Sequence, residues 1–280
     1  MRVHHLNCGC MCPLGGRLWD GASRGPTGRL VCHCPLIETD RGLVLVDTGF
    51  GIRDVERPYE RLSPLFVHAN RIRLERRYTA QHEVESRGFS ARDVRHIVLT
   101  HLDFDHAGGL EDFPNATVHV LQTEIEAARA RRGFIARRRY RPEQWDEVRS
   151  WQFYRPGGER WFGFEAVRDI KGLPPEILVI PLPGHTAGHS GVAIDTPDGW
   201  LLNAGDAYFH RHEMDANPRC TPALAAYQAL MENDRGTRLH NQDRLRKLAT
   251  DRRVGVRVFC SHDPVELEAL SRLSSRALPV

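Results

Sequence analysis

Thr100-His101-Leu102-Asp103-Phe104-Asp105-His106-Ala107-Gly108-Gly109 sets four metal-capable side chains within six positions, directly behind the apolar run Ile97-Val98-Leu99. Such a run carries a buried strand to the edge of a sheet, and the small residues after His106 let the backbone turn sharply and a following helix pack close. On alternate positions His101 and Asp103 face one way. The adjacent pair Asp105 and His106 leaves that alternation, so a loop can direct it at a second point nearby, as a two-metal arrangement requires. A strand-end turn in which Asp103 and Asp105 only cap the next helix is the competing reading. It does not account for three further clusters, Gly184-His185-Thr186-Ala187-Gly188-His189, Gly205-Asp206 and Ser261-His262-Asp263, each behind its own apolar run.

Length and composition narrow the class. The 280 residues allow a sizeable core, and 41% apolar with 27% charged residues is ordinary for a water-soluble protein. No apolar run approaches the roughly 20 residues of a membrane helix, and the start, Met1-Arg2-Val3-His4-His5-Leu6-Asn7-Cys8, lacks the apolar stretch of a secretory signal, which points to the cytoplasm. A net charge of +3 is too small to suggest nucleic acid as a partner. Arg129, Arg131, Arg132, Arg137, Arg138, Arg139 and Arg141 crowd one segment, which reads either as a solvated helix and loop or as a surface for an anionic substrate or partner. Seven cysteines, an odd number, argue against a disulfide framework. Cys8, Cys10 and Cys12, and then Cys32 and Cys34, alternate as strand residues do; small buried apolar groups, a site-facing or metal-binding role for Cys8, Cys10 or Cys12, and redox sensing all fit that spacing.

Taken in order, Arg2 to Asn7 and Arg29 to Thr39 read as two strands, and Leu43-Val44-Leu45-Val46 as a strand covered on both faces that ends at Asp47-Thr48-Gly49. Asp47 either caps that turn or accepts a hydrogen bond that orients a ligand histidine. Residues 51 to 94 read as helices over the sheet, followed by strands at 95–99 and 116–121. Residues 122 to 170 break the rhythm, first helix-prone and then rich in aromatics (Trp145, Trp151, Phe153, Tyr154, Trp161), and read as an insertion that packs on the body, forms a lid over a pocket, or makes a homodimer contact. Ile177 to Ile180, a hairpin around Asp195-Thr196-Pro197-Asp198-Gly199, helices over 221 to 250, and a strand from Gly255 to Cys260 complete the pattern. Two facing mixed sheets with helices outside, a four-layer α/β sandwich in a single domain spanning 1–280, would bring every strand-end ligand to one edge.

Together these residues resemble the metallo-beta-lactamase-fold hydrolases, whose motif is His-x-His-x-Asp-His followed by a histidine, a bridging aspartate and a final histidine. The match runs from Asp47 to His262, and its Thr-His-x-x-x-Asp-His-Ala-Gly-Gly and Pro-Gly-His-Thr-x-Gly-His-Ser forms are most similar to the quorum-signal (N-acyl homoserine) lactonase and glyoxalase II branches. The resemblance implies two divalent ions, zinc first, sharing a hydroxide that attacks a carboxylic ester bond: a lactone first, a thioester second. It implies His101, Asp103 and His185 around one ion, Asp105, His106 and His262 around the other, and Asp206 bridging both. His189 has no ligand counterpart and reads as support or packing. A tyrosine hydroxyl can assist at the developing oxyanion; Tyr208, two positions past Asp206, is the candidate, with plain packing as its alternative.

Asp103 departs from the family pattern, which has histidine there. The extra carboxylate brings the two ions, three aspartates and hydroxide to zero net charge, where histidine would leave +1, and it makes manganese or iron more competitive with zinc. Flavodiiron proteins of the same fold also carry a carboxylate at this position, which makes a diiron redox protein the runner-up; they append a flavodoxin-like domain that this sequence does not contain. A metal-bound but catalytically silent binding protein is the third reading.

Overall fold

The apolar runs pair into two sheets. In the computed structural model, which describes residues 1–166 and 170–276, β1 (Arg2–Met11) runs antiparallel to β2 (Leu30–Thr39), with Leu6 opposite Cys34 and His4 opposite Leu36. β2 returns into β3 (Gly42–Val46). From β3 the sheet continues in parallel through β4 (Val94–Val98), β5 (Thr117–Leu121) and β6 (Trp151–Tyr154). β7 (Arg160–Trp161) and β8 (Phe164–Glu165) form a small hairpin. The second sheet contains β9 (Ile177–Pro181), β10 (Ser190–Thr196), β11 (Gly199–Asn203) and β12 (Val256–Phe259) in the order β12-β11-β10-β9, and only its β11–β12 pair is parallel.

The consecutive apolar positions divide between the two faces of each strand, as period two requires. Val44, Val46 and Val98 of the first sheet meet Ile177, Val179, Val192 and Ile194 of the second in one buried layer. Leu43, Leu45 and Ile97 face the other way and pack on Val84 of the helix Ala80–Glu85 and on Ile125 and Ala128 of the helix Gln122–Ala130. Behind the second sheet, Leu178, Ile180 and Leu202 pack on Leu245 and Leu248 of the helix Arg235–Thr250. The order is therefore helix, sheet, sheet, helix, the four-layer sandwich expected from the sequence. Each strand needs apolar residues on both faces because each sheet is covered on both.

The segment 122–170 is more closely built into the body than an insertion implies. Its aromatic stretch supplies β6, which extends the first sheet through Val118–Trp151 and Leu121–Tyr154 pairs, and Trp145 is 5% exposed in the core. Residues 167–169 of that segment lie outside the described residues.

Because β3, β4 and β5 are parallel, their carboxyl ends share one edge, and the loops leaving β9, β11 and β12 reach the same place. Close backbone contact holds this edge together. Gly49, just past β3, has a φ of 60°, and a Cβ added there would lie 2.1 Å from the Cys8 carbonyl oxygen. Gly49→Ala is expected to lower unfolding free energy by about 2 kcal/mol or more, through left-handed strain and the steric conflict. Urea unfolding of the two proteins checks this.

Candidate metal centre

Seven side chains arrive at the shared edge from four strand ends. His101, Asp103, Asp105 and His106 follow β4, His185 follows β9, Asp206 follows β11 and His262 follows β12. All are buried, with exposures from 0% for His101 to 7% for Asp105. Every sequence-predicted ligand is thus brought to one place.

The ligand atoms fall into overlapping groups: Asp206 belongs both with His101, Asp103 and His185 and with His106 and His262, and Asp105 joins the second through His262. On one side, His101 Nε2 lies 3.4 Å from Asp103 Oδ2 and 3.7 Å from Asp206 Oδ2. His185 Nε2 lies 3.1 Å from Asp103 Oδ2 and 3.4 Å from Asp206 Oδ2. On the other side, Asp206 Oδ1 is 3.4 Å from His106 Nε2 and 3.1 Å from His262 Nε2, and Asp105 Oδ2 is 3.7 Å from His262 Nε2. Four ligands held tetrahedrally at 2.0–2.2 Å from zinc would stand roughly 3.3–3.6 Å apart, so these spacings suit a metal ion. His101 Nε2, His106 Nε2 and Asp206 Oδ1 are moreover buried with no hydrogen-bond partner. Such orphaned atoms are costly unless a cation satisfies them. The donor set fits divalent ions.

The imidazoles are held from behind. Asp47, itself at φ 56°, accepts from the Thr100 backbone N–H and hydroxyl, both at 2.8 Å, and from His106 Nδ1 at 2.9 Å. Of its two roles, the orienting one is what the geometry shows. His262 Nδ1 donates to the Val31 carbonyl at 2.7 Å. His189 Nδ1 donates to the Leu182 carbonyl while its Nε2 accepts from the Asp206 backbone N–H, each at 2.9 Å, so both ring nitrogens are spent on the backbone and it positions Asp206, with its ring packed against His101 and His185. Burial and then His185 hold its pKa down to about 3, which keeps it neutral and able to accept. Burial opposes the charge of Asp206, but His262 and His106 outweigh it and hold its carboxyl well below the usual range.

Four residues of the site had no role in the sequence reading. Glu124, on the first turn of its helix, accepts from the Leu102 backbone N–H at 2.9 Å, the Thr186 hydroxyl at 2.6 Å and the Gly188 backbone N–H at 3.1 Å. It clips the two motif loops together; a glutamate directly after a strand is the only signal the sequence offers. Cys32 on β2 sits with Asp105 and His262, so the cysteine grouped with the candidate ligands is Cys32 and not Cys8, Cys10 or Cys12. Cys10 and Cys12 lie with their sulfurs 3.7 Å apart, and burial pushes the Cys10 thiol up to about 12. Tyr227 lies on the wall of a narrow pocket over the ligands, together with Asn70, Met11, Phe209 and Met231. Arg139, one of the clustered arginines, is 4% exposed and bonds to Asp103 through Nε–Oδ1 at 2.6 Å and Nη2–Oδ2 at 2.5 Å.

Two expectations are corrected. Tyr208 does not face the site: its hydroxyl, fully buried in the second sheet's outer core, donates to Glu266 Oε1 at 2.9 Å. The turn after Asp206 sends it backwards and brings Phe209 against the His262 ring instead, with centroids 5.1 Å apart. The Asp103 charge also does not stand alone, because the Arg139 guanidinium offsets it and, with His101, holds that carboxyl well below its usual range despite burial. The sum that set this site one charge below an all-histidine site therefore fails.

Two measurements follow. Asp47→Asn keeps a residue that accepts positive φ but turns an amide donor toward His106 or Thr100, and is expected to weaken metal affinity about 10- to 100-fold in chelator competition. Burial and Asp263 raise the Glu266 carboxyl from the usual 4.5 to about 8. The folded state thus keeps a proton that the unfolded chain releases, so this group's contribution is full below pH 4.5 and is lost as pH rises through 8. Glu266→Gln should flatten the stability difference between about pH 5 and about pH 9 in urea unfolding.

Comparison with known proteins accords with this geometry. The metallo-beta-lactamase superfamily model matches residues 27–254. A probable metallo-hydrolase of Mycobacterium tuberculosis is 39% identical over 272 residues, covering 97% of this chain and 83% of the relative. An N-acyl homoserine lactonase of Bacillus cereus is 27% identical over 191 residues, 65% of this chain and 66% of that one. Among solved structures, an N-acyl homoserine lactone hydrolase with its product N-hexanoyl-L-homoserine bound at the catalytic metal center aligns with a TM-score of 0.70 at 23% identity, over 96% of this chain and 95% of the other, a likeness of fold. No described helix is long and apolar enough to cross a membrane. With its buried cluster of histidines and aspartates suited to divalent metal ions, the chain belongs to the metallo-beta-lactamase superfamily of hydrolases.

Proposed function

We propose that the protein is a binuclear metal hydrolase that opens a carboxylic ester bond, with lactones as the first substrate class and thioesters as the second. The observation that carries this reading is Asp206, whose Oδ2 lies beside His101 and His185 and whose Oδ1 lies beside His106, with His262 Nε2 close to both oxygens at 3.2 and 3.1 Å. Divalent ions there, zinc first with manganese or iron as competitors, would supply Lewis acidity and a water acidified toward neutral pH. The named lactonase relative, and the lactone hydrolase of the same fold, support the choice of lactones.

The chain's own residues supply the rest. Asp105 lines the pocket beside His262 and is placed to take a proton from the attacking water and return it to the leaving alkoxide. Tyr227 takes the role once expected of Tyr208. Burial, then Asp105 and Asp103, push its hydroxyl upward, so it stays a protonated donor for the developing oxyanion. Met11, Leu30, Phe209 and Met231 give the narrow pocket an apolar wall that limits water at the ligands. Seven free cysteines suit a reducing cytoplasm.

Metal analysis followed by hydrolysis assays tests the reading. Chelator treatment is expected to abolish hydrolysis across a lactone and thioester panel, and two equivalents of zinc or manganese to restore it. Fewer than two metals per chain at saturation would undo the binuclear model. Tyr227→Phe should lower kcat about 100-fold with metal content unchanged; an unchanged kcat removes Tyr227 from the chemistry.

A further inference from the structure

Arg139 is buried at the metal centre with every N–H engaged. Nε and Nη2 grip the two oxygens of Asp103. Nη1 donates to the carbonyls of Met231 at 2.6 Å and His185 at 3.3 Å. The remaining Nη2 hydrogen meets His185 Nε2 at 2.6 Å. A guanidinium has five N–H donors, and these contacts use them all, four of them on Asp103 and backbone carbonyls, which leaves no bidentate fork to clamp an anionic substrate. Of the roles open to the arginine-rich segment, Arg139 therefore takes neither the solvated one nor the substrate-binding one.

Its placement is asymmetric. Arg139 lies against Asp103 and His185, both of the first ligand group, whereas the carboxylate of Asp47 stands behind His106 in the second. A neighbouring cation disfavours a bound metal ion and a neighbouring anion favours it. The single lone pair of His185 Nε2 is also shared ground, since it cannot accept from Arg139 and ligate a metal at the same time. Asp103 stands where the family pattern has a neutral histidine, and the Asp103–Arg139 pair is likewise neutral.

We infer that Asp103 and Arg139 act as one neutral ligand unit, in which Arg139 makes the His101–Asp103–His185 group the weaker of two metal subsites, so that the two fill in order. This rests on the binuclear reading and adds to it the rank of the subsites and the residue that sets it. Arg139 is a positioning and charge-setting residue here.

The test is zinc binding, read by competition with a chromophoric chelator, in the full-length wild type, Arg139→Gln, Arg139→Lys, Asp103→His and the double variant Asp103→His/Arg139→Gln, with circular dichroism as the folding control. Wild type is expected to show two unequal steps. Arg139→Gln should tighten the weaker step about 10-fold or more, Asp103→His should weaken it about as much, and the double variant should return to within about 3-fold of wild type, with the tight step unmoved throughout. Arg139→Lys, which keeps the charge, should match wild type. A weaker step that is unchanged or loosened in Arg139→Gln, or an Asp103→His defect that removal of Arg139 does not rescue, overturns the inference. If Arg139→Gln does not fold, Arg139→Met, which removes the charge and keeps the side chain's bulk, decides the matter by whether the weaker step tightens. A wild type that binds no zinc would sink the metal reading itself, while two normal steps indifferent to residue 139 would sink only this one.

Discussion

Asp206 holds an ionised carboxylate at 3% exposure, between four histidines. Removing such a charge from water is expensive unless opposite charge and hydrogen bonds compensate it. The four histidines come from three stretches of chain, which must end where the stretch carrying Asp206 ends, and that requirement explains the architecture. Parallel β3, β4 and β5 bring one set of loops to the edge, and the second sheet brings His185, Asp206 and His262 to it from across the apolar layer. Neither sheet alone contains a metal site. The sandwich creates it by facing the two.

The site is then made rigid by groups outside the candidate ligand set. Asp47 fixes the Thr100 backbone and the His106 ring together, His189 fixes the Asp206 backbone, and Glu124 ties the loop of His101 to the loop of His185. Each is a buried polar group with its hydrogen bonds met, in surroundings where an unmet bond is costly and a met one specifies a single arrangement. Close backbone approach serves the same purpose. At Gly188 a Cβ would fall 2.1 Å from the Glu124 backbone nitrogen, so the two loops can meet only with glycine there. Ligands held this way need little rearrangement when a cation arrives, and this preorganisation is what a hydrolytic centre requires of its protein.

The segment 122–170 joins fold and function. It donates a sheet strand at β6, a loop clip at Glu124 and a buried guanidinium at Arg139. An arginine that looks like solvated surface in the sequence becomes the electrostatic partner of the one ligand that departs from the family pattern. The departure and its compensation lie 36 positions apart. Substitution of either alone would leave an unpaired buried charge within the histidine and aspartate cluster.

The sequence by itself determined the strands of the two sheets except β6, and all seven ligand candidates, because apolar runs and metal-capable residues behind them obey local rules of period and spacing. It also carried the departure at Asp103. What tertiary structure alone decided was direction and neighbourhood. Tyr208 and Phe209 are adjacent in the chain, yet the turn after Asp206 buries one against Glu266 and lays the other on His262. Cys32, and not the three earlier cysteines, meets Asp105 because β2 enters the sheet beside the ligand edge. Tyr227 reaches the pocket from a helix that begins 16 residues after Asp206, and Arg139 reaches Asp103 from a segment that reads as surface. Spacing in a chain fixes which residues share a strand or helix face. It does not fix which distant charge will fall beside them, because that depends on packing the whole apolar interior at once.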